Sequence, residues 1–574
     1  MIKTKKKWMV YAKKADFKSL SQKYGMDQVV MRILRNREIN TDKEIMSYLN
    51  GKIEDIYDSS LLPDVNKAVD ILKANIDAGN KIRVVGDYDI DGVCATYILS
   101  ATLKKLHASA DYVIPDRVRD GYGINRSIVD NAVKDGVDLI ITCDNGIAAI
   151  DELGYAVSKG IKVIVTDHHD VRLDEAGNEN IPTADAIVNA KLKRSQYPCA
   201  DICGAVTAWK LTELLLEQYK ILKNEWLELI EFAAIATIGD VMKLVGENRI
   251  IVKEGLSRIN KGSFNLGLRK LIEKCDISGK KINTYHIGFI IGPCINAGGR
   301  LESAELAMKL FMSETEAEAE HYAMRLKLLN DDRKAMTERG MQEAEKIVEE
   351  TEKDRKVLVV YLPELHESLA GIVAGRVKEK YGKPTFVITD SEDGCKGSGR
   401  SIEAYHMFEA LCKVSDLLEK FGGHPMAAGL SLKKENVNKL RERLNENADL
   451  KEEDFVQKLM IDCAMPIGYI SSKLIEELDT LEPFGPGNEK PVFAVKNVML
   501  TDKRILGKNR NVLKLIVRDE NGSSVQGVFF GNPEEMNDIL EHETTASILY
   551  YPQINEFNGR KTLQLVINEV RFEQ

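Results

Sequence analysis

The sequence predicts an α/β chain in four parts: a doubly wound lobe around a parallel sheet, a long linking helix, a second α/β lobe and a C-terminal β-barrel. Three observations carry this expectation. From about residue 66, apolar runs of strand length alternate with helical stretches, the pattern of strands joined by crossover helices. Residues 313–351 hold no proline and a single glycine, Gly340, and repeat apolar residues at helical spacing. Beyond the turn-rich segment Leu481–Pro491 the chain reads as short β runs to its end.

Residues 1–60 mix short helical patterns with basic residues and read as an N-terminal extension. The first lobe, 61–312, begins with a helix at Val65–Ala78, a strand at Lys81–Val85 and a helix at Val93–His107. Its further strands are Tyr112–Ile114, Val137–Thr142, Ile161–Thr166 and Ala186–Val188, before a mostly helical stretch over 201–275. The linking helix takes 313–352. The second lobe, 353–455, opens on the apolar strand Lys356–Tyr361. In the last part, 456–574, β runs at 492–500, 512–518, 524–530, 546–553 and 561–571 suit a five-stranded barrel of the OB type.

Composition excludes several classes. The 574 residues are too many for one hydrophobic core. The lysines near the N-terminus precede no apolar stretch of signal-peptide length, and no run of membrane-spanning length occurs, so the expected location is the cytoplasm, without a membrane. The nine cysteines form no CxxC pair, and Cys199 and Cys203 have no second pair to complete a zinc site. A net charge of −9 argues against coating nucleic acid by bulk charge but leaves room for a local basic channel.

The strongest chemical signal is Gly86-Asp87-Tyr88-Asp89-Ile90-Asp91-Gly92, directly after a strand. Alternate residues of an extended segment point the same way, and clustered carboxylates repel one another unless a cation sits among them. An EF-hand loop would need a glutamate where Ile98 stands, and a helix rather than a strand before it. Two more strands end in similar residues: Val137–Thr142 leads to Asp144, and Ile161–Thr166 to Asp167-His168-His169. Asp240 follows an apolar helix and can close the cluster from the side. A lone aspartate after a strand is usually a helix cap. Three such clusters at the carboxyl ends of successive strands, where open parallel sheets bind ligands, point instead to one metal site. Mixed carboxylate and imidazole ligands favour manganese or magnesium. Two such ions, about 3.5–4 Å apart, can polarise a phosphodiester and supply hydroxide at neutral pH.

These residues resemble the motifs of the DHH phosphoesterase superfamily, named for the triplet that stands here as Asp167-His168-His169, and within it the RecJ-like exonucleases over nearly the whole chain. Gly86–Gly92, Asp144, Asp167–His169 and Asp240 match its four motifs in turn. The resemblance implies Asp87, Asp89, Asp91, Asp144, His168 and Asp240 as ligands of two divalent cations, with Asp144 as the bridge. The assignment among the first three stays open. Asp89, Asp144, His168 and His169 would carry the chemistry, His169 as a hydrogen-bonding residue or proton donor. In the second lobe, Lys396–Ser401 and Phe421–Gly429 resemble the glycine-rich motifs of the DHH-associated domain, with Ser398, Arg400, Gly423 and His424 as nucleic-acid contacts. By the same resemblance two further loops, Ile114–Asn125 and Ile295–Leu301, would bring Arg117, Arg119 and Arg300 toward a 5′-phosphate; the sequence does not rank the first two. The barrel offers Lys503, Arg504, Lys508, Arg510 and Lys514 for the backbone, with Phe529, Phe530, Tyr550 and Tyr551 for stacking.

The resemblance implies 5′→3′ degradation of single-stranded DNA to mononucleotides in repair and recombination, with a single-strand-binding protein and a helicase as partners. The alternative within the superfamily is hydrolysis of short oligonucleotides or cyclic dinucleotides. A non-catalytic DNA-binding relative would not need the intact set of ligand candidates.

Overall fold

The computed structural model describes residues 6–572 apart from 118, 393, 508, 509 and 558. Its contacts divide the chain into two units, residues 52–457 and residues 6–51 with 458–574. Strand β1 (Lys6–Val10) therefore belongs with the C-terminal residues and is taken up with them below.

The larger unit starts from a parallel sheet of β2 (Ile82–Val85), β3 (Ala110–Val113), β4 (Leu139–Cys143), β5 (Lys162–Thr166) and β6 (Ala186–Val188) in the order β3-β2-β4-β5-β6. Because both faces are covered, the strands are almost wholly apolar. Ile82, Val84, Leu139, Ile141 and Ile164 enter the core on one face, and Val85, Ile140, Val163 and Val165 the core on the other. The chain moves outward from β2 to β3, then returns to β4 on the opposite side. That reversal opens a crevice beyond the carboxyl ends of β2 and β4, the switch point where such sheets bind ligands.

Helix Glu316–Ile347 joins this lobe to the second. Thr315 caps its start, accepting from the Glu318 N–H. Its first half buries Ala323 and Leu326 in the core of the first lobe, and its last turns bury Met341 and Ala344 in that of the second. The helix is thus held at both ends by packing, which a helix polar over much of its surface needs. The second lobe is a mixed sheet ordered β10-β11-β9-β8-β7, from β7 (Leu358–Tyr361), β8 (Thr385–Ser391), β9 (Gly394–Arg400), β10 (Leu418–His424) and β11 (Ala427–Leu432). Only β7 and β8 run parallel; β8–β9, β9–β11 and β11–β10 are antiparallel.

In the smaller unit β1 pairs with β12 (Gln457–Ile461), which is why the N-terminal residues join this unit. Helices Gln28–Asn36 and Asp42–Asn50 add Val30, Met31, Ile33, Leu34, Ile45 and Tyr48 to the core formed by the C-terminal strands. The barrel closes from β14 (Phe493–Leu506) through β15 (Val512–Arg518), β16 (Ser524–Phe529), β18 (Arg560–Phe572) and β17 (Thr545–Phe557) back to β14, while the short β13 (Cys463–Ala464) pairs alongside β14. Five long strands close the barrel, as the spacing of β runs predicts.

Two of the aromatic residues read from sequence as stacking groups are core. Tyr550 and Tyr551 are buried against Phe493, and the Tyr550 hydroxyl donates to the Met465 carbonyl at 2.6 Å. Consecutive residues of a strand leave opposite faces, and both faces of β17 are covered here: Phe484 and Lys490 pack on the Tyr551 ring, and Met465 receives the Tyr550 hydroxyl. Phe530 is exposed and Phe529 half-buried. Lys503 donates to the Asn537 carbonyl at 2.8 Å and Arg510 pairs with Glu534 at 3.0 Å, so both are engaged within the barrel. Arg504 is exposed and Lys514 half-buried; Lys508 lies outside the described residues. No helix among the described residues is long and apolar enough to cross a membrane.

Candidate metal centre and adjoining anion cavity

Three strand tips and one helix end supply the centre. After β2, Asp89 caps helix Ile90–Lys105, its Oδ1 accepting from the N–H groups of Asp91 (2.9 Å) and Gly92 (3.1 Å). Asp91, in the first turn, is fixed from the other side: its carboxylate accepts from the N–H groups of Gly204 (2.7 Å) and Ala205 (2.8 Å), at the start of helix Gly204–Gln218. After β4, Asp144 sits at φ 59°, a left-handed conformation that aspartate tolerates better than most side chains. After β5, the buried Asp167 ties its own loop to the one after β4, accepting from the N–H groups of Ile147 (2.9 Å), His168 (2.7 Å) and His169 (3.1 Å). Asp240 ends helix Ile230–Gly239.

The side chains converge. His168 Nε2 lies 3.1 Å from Asp144 Oδ1, 3.5 Å from Asp91 Oδ2 and 3.7 Å from Asp240 Oδ2. Three triads bring one donor atom from each member within 4.8 Å of the others: Asp87, Asp89 and Asp144; Asp91, His168 and Asp240; and Asp144, His168 and His169. Asp144 belongs to the first and third, and His168 to the second and third. Asp144 and His168 are thus each shared between two groups, and of the two only the Asp144 carboxylate has two oxygens to offer, which makes it the candidate bridge.

Electrostatics say what the cluster needs. Asp87 is 1% and Asp144 2% exposed, yet Oδ1 of each has no hydrogen-bond partner among the described residues, and neither has Nδ1 of His168. Burial, reinforced by Asp89, pushes Asp87 up to about 8; burial with Asp91 and Asp89 does the same to Asp240. Burial and the same two neighbours hold Asp144 well above the carboxylate range. Burial lowers His168, keeping its imidazole neutral and able to ligate. Unpaired buried oxygens in a cluster that resists ionisation fit hard divalent cations, which replace protons on binding.

A pH dependence follows. With Asp87 and Asp240 raised to about 8, these two carboxyls bind more protons in the folded metal-free protein than in the unfolded chain from about pH 4 to about 8, so their contribution to stability falls as pH rises through that window. Manganese should reverse the trend. The melting-temperature gap between manganese-loaded and chelator-treated protein is expected to widen from about pH 5 to about pH 9. A gap that narrows over that range would contradict the assignment.

His169 differs from His168. Burial opposes its charge, but a 2.7 Å hydrogen bond to Asp167 outweighs that and raises it to about 9. It is half exposed and lies within 3.3 Å of the Tyr122 hydroxyl, which donates to the Asp144 carbonyl at 2.7 Å. Tyr122 and Asp167 stand in the sequence motifs, but no spacing rule singles them out as positioning groups. Gly204 is a further example. A Cβ there would lie 2.7 Å from the Asp144 Cβ, so Gly204→Ala is expected to displace the bridge candidate, cost about 1–3 kcal/mol and weaken manganese binding in calorimetry.

Beside the centre, a cavity of about 550 Å³ opens between the two lobes of the larger unit. Arg117, Arg300, Ser398 and Arg400 line it, with Tyr88 as the wall toward the metal centre. Arg117 lies over the Tyr88 ring at 4.8 Å, Arg300 donates to the Ser368 carbonyl at 2.7 Å, and Arg400 donates to Ser398 Oγ at 3.1 Å. None of the three guanidiniums has a carboxylate partner among the described residues. Burial and the neighbouring Arg117 and Arg333 bring Arg300 down to about 10, and burial with Arg117 also lowers Arg400. Three unpaired cations in a half-closed cavity call for an anion. Arg119 is exposed, lies 3.5 Å from Asp116 and does not line the cavity. Gly423 and His424 stand just beyond the lining residues, at the end of β10. His366 caps the turn Glu367–Leu369, its Nδ1 2.8 Å from Ser368 Oγ, so it steadies the loop that receives Arg300.

Comparison with known proteins agrees with this architecture. Residues 81–237 match the DHH family N-terminal domain, 354–449 the DHHA1 domain and 461–569 the RecJ OB domain. The single-stranded-DNA-specific exonuclease RecJ of Bacillus subtilis is 37% identical over 99% of this chain and 71% of its own. That of Escherichia coli is 31% identical over 94% of this chain and 95% of its own. Among solved structures, RecJ of Thermus thermophilus in complex with Mn²⁺ aligns with a TM-score of 0.83 at 27% identity, covering 99% of this chain and 80% of that one. A second structure of the same protein holds Mg²⁺, with a TM-score of 0.78 at 26% identity and coverage of 99% and 79%. A parallel sheet bearing the DHH cluster, a glycine-rich second lobe and a closed barrel, all matched over nearly the full length, place this chain in the RecJ family.

Proposed function

We propose that this chain is a metal-dependent exonuclease that degrades single-stranded DNA 5′→3′ to mononucleotides, in the cytoplasm, in DNA repair and recombination. The observation that carries the reading is the shared wall: Tyr88 lines the anion cavity, and its sequence neighbours Asp87 and Asp89 are ligand candidates. A terminal 5′-phosphate held by Arg117, Arg300, Ser398 and Arg400 therefore leaves the next phosphodiester beside the cluster. Two divalent cations, manganese or magnesium, held by Asp87, Asp89, Asp91, Asp144, His168 and Asp240, would polarise that diester and supply hydroxide. His169, kept charged by Asp167, is positioned to give a proton to the departing O3′. The cavity lies between two lobes and is lined for one phosphate chain, which suits a single strand. The nine free thiols agree with a reducing compartment. A helicase and a single-strand-binding protein that supply the strand belong to the same reading and rest on family kinship.

The test uses long single-stranded and blunt duplex DNA labelled at either end, with manganese. A 5′ label should appear at once as mononucleotide, while a 3′ label shortens gradually and blunt duplex stays intact. Release of the 3′ label first, or faster cleavage of dinucleotides than of the long strand, would overturn the proposal.

A further inference from the structure

The anion cavity is larger and more cationic than one terminal phosphate requires. Beyond the Arg117, Arg300 and Arg400 cluster it continues over the face of β9, β11 and β10. Pairing across these strands sets residues in rows: Ser398 beside Gly429 beside Gly422, and, one step along, Lys396 beside Ser431 beside Lys420. The first of these rows is nearly bare. A Cβ at Gly422 would meet nothing within 4 Å, and one at Gly429 would meet only the Gly397 carbonyl at 4.0 Å. Its floor is therefore open backbone, across which a ligand can lie flat. The next row carries two lysines and a hydroxyl. Lys396 is paired with Glu367 at 2.9 Å, whereas Lys420 is exposed and makes no ion pair among the described residues.

We infer that this cavity accepts nucleic-acid ends bearing a 5′-di- or triphosphate, with the α-phosphate at Ser398 and Arg400 and the outer phosphates reaching the row of Lys396, Ser431 and Lys420. The inference rests on the proposed anchoring of a 5′-phosphate. Two residues of strand advance about 6.6 Å, a step that two successive P–O–P linkages span. The glycine row leaves that path free, and the lysine row meets the charge at its end.

The chemistry is unchanged by a longer end. Water adds at the phosphorus of the first phosphodiester, the P–O3′ bond breaks, and O3′ leaves with a proton as a hydroxyl. The shortened strand keeps a 5′-phosphate, and the first product is a nucleoside triphosphate instead of a monophosphate.

Equilibrium binding of one single-stranded oligonucleotide bearing a 5′-hydroxyl, 5′-monophosphate or 5′-triphosphate, measured without divalent ions, tests this. The triphosphate should bind about tenfold tighter than the monophosphate, the effect of one added charge-assisted contact. Lys420→Ala and Lys420→Glu should shrink the ratio between the two, the second variant further; Lys420 is exposed on an edge strand, so the fold is not at stake. With manganese, mass spectrometry of the first product from the triphosphate strand should show a nucleoside triphosphate. If the triphosphate binds no tighter than the monophosphate, while the monophosphate still exceeds the hydroxyl, this inference fails and the anchoring survives. If monophosphate and hydroxyl bind alike, the anchoring fails and this inference with it.

Discussion

Replacing Asp144 by Asn is expected to lower turnover of single-stranded DNA by about 10³-fold or more, because it removes the group shared between two ligand clusters and the several kcal/mol of charge stabilisation that depend on it. Asparagine is the informative substitution. At φ 59° it keeps the left-handed conformation at little cost, whereas alanine adds backbone strain. The Tyr122 hydroxyl bonds the Asp144 carbonyl, not its carboxylate, so that contact also survives. One carboxylate fewer relieves repulsion in a buried cluster, so the metal-free variant should melt no lower than the parent, and manganese should no longer raise its melting temperature by the parent's amount. Turnover within tenfold of the parent would remove Asp144 from the centre.

The second large effect concerns the end of the strand. Arg400→Ala should lower kcat/KM on 5′-phosphorylated single strands by about 10–100-fold, the worth of a charge-assisted contact in a half-closed site. On 5′-hydroxyl strands the loss should be much smaller, because the missing partner is the phosphate. Burial and the neighbouring Arg117 already disfavour the Arg400 charge, so the fold should not suffer from its removal. Arg119→Ala, at an exposed side chain outside the cavity, should change kcat/KM by less than about twofold. Equal losses on both kinds of end, or a larger loss at Arg119, would place the 5′ anchor elsewhere.

The strand-end cluster was legible because a parallel sheet forces its logic. Apolar runs locate β2, β4 and β5, and whatever follows each must lie at one edge of the sheet. The sequence alone thus groups Asp87, Asp144 and His168. The pair Arg117 and Arg119 could not be separated, since two residues of one loop differ only in what each finally faces. Tyr550 and Tyr551, which the sequence offers for stacking, are core for a related reason. Local pattern identifies a strand, but what packs on each of its faces decides which of its rings are enclosed.

By itself, the sequence determined the order of strands and helices, the acidic and imidazole residues at the strand tips and the glycines of the second lobe, because periodicity and residue chemistry are local properties. Only the tertiary structure decided that Asp144 is shared between two groups of ligand candidates, that Gly204 must lack a side chain to make room for it, and that Arg117, Arg300 and Arg400 meet with no ion-pair partner among the described residues. Those relations join residues far apart along the chain, and they arise from burial and crowding, which exist only once the lobes have packed.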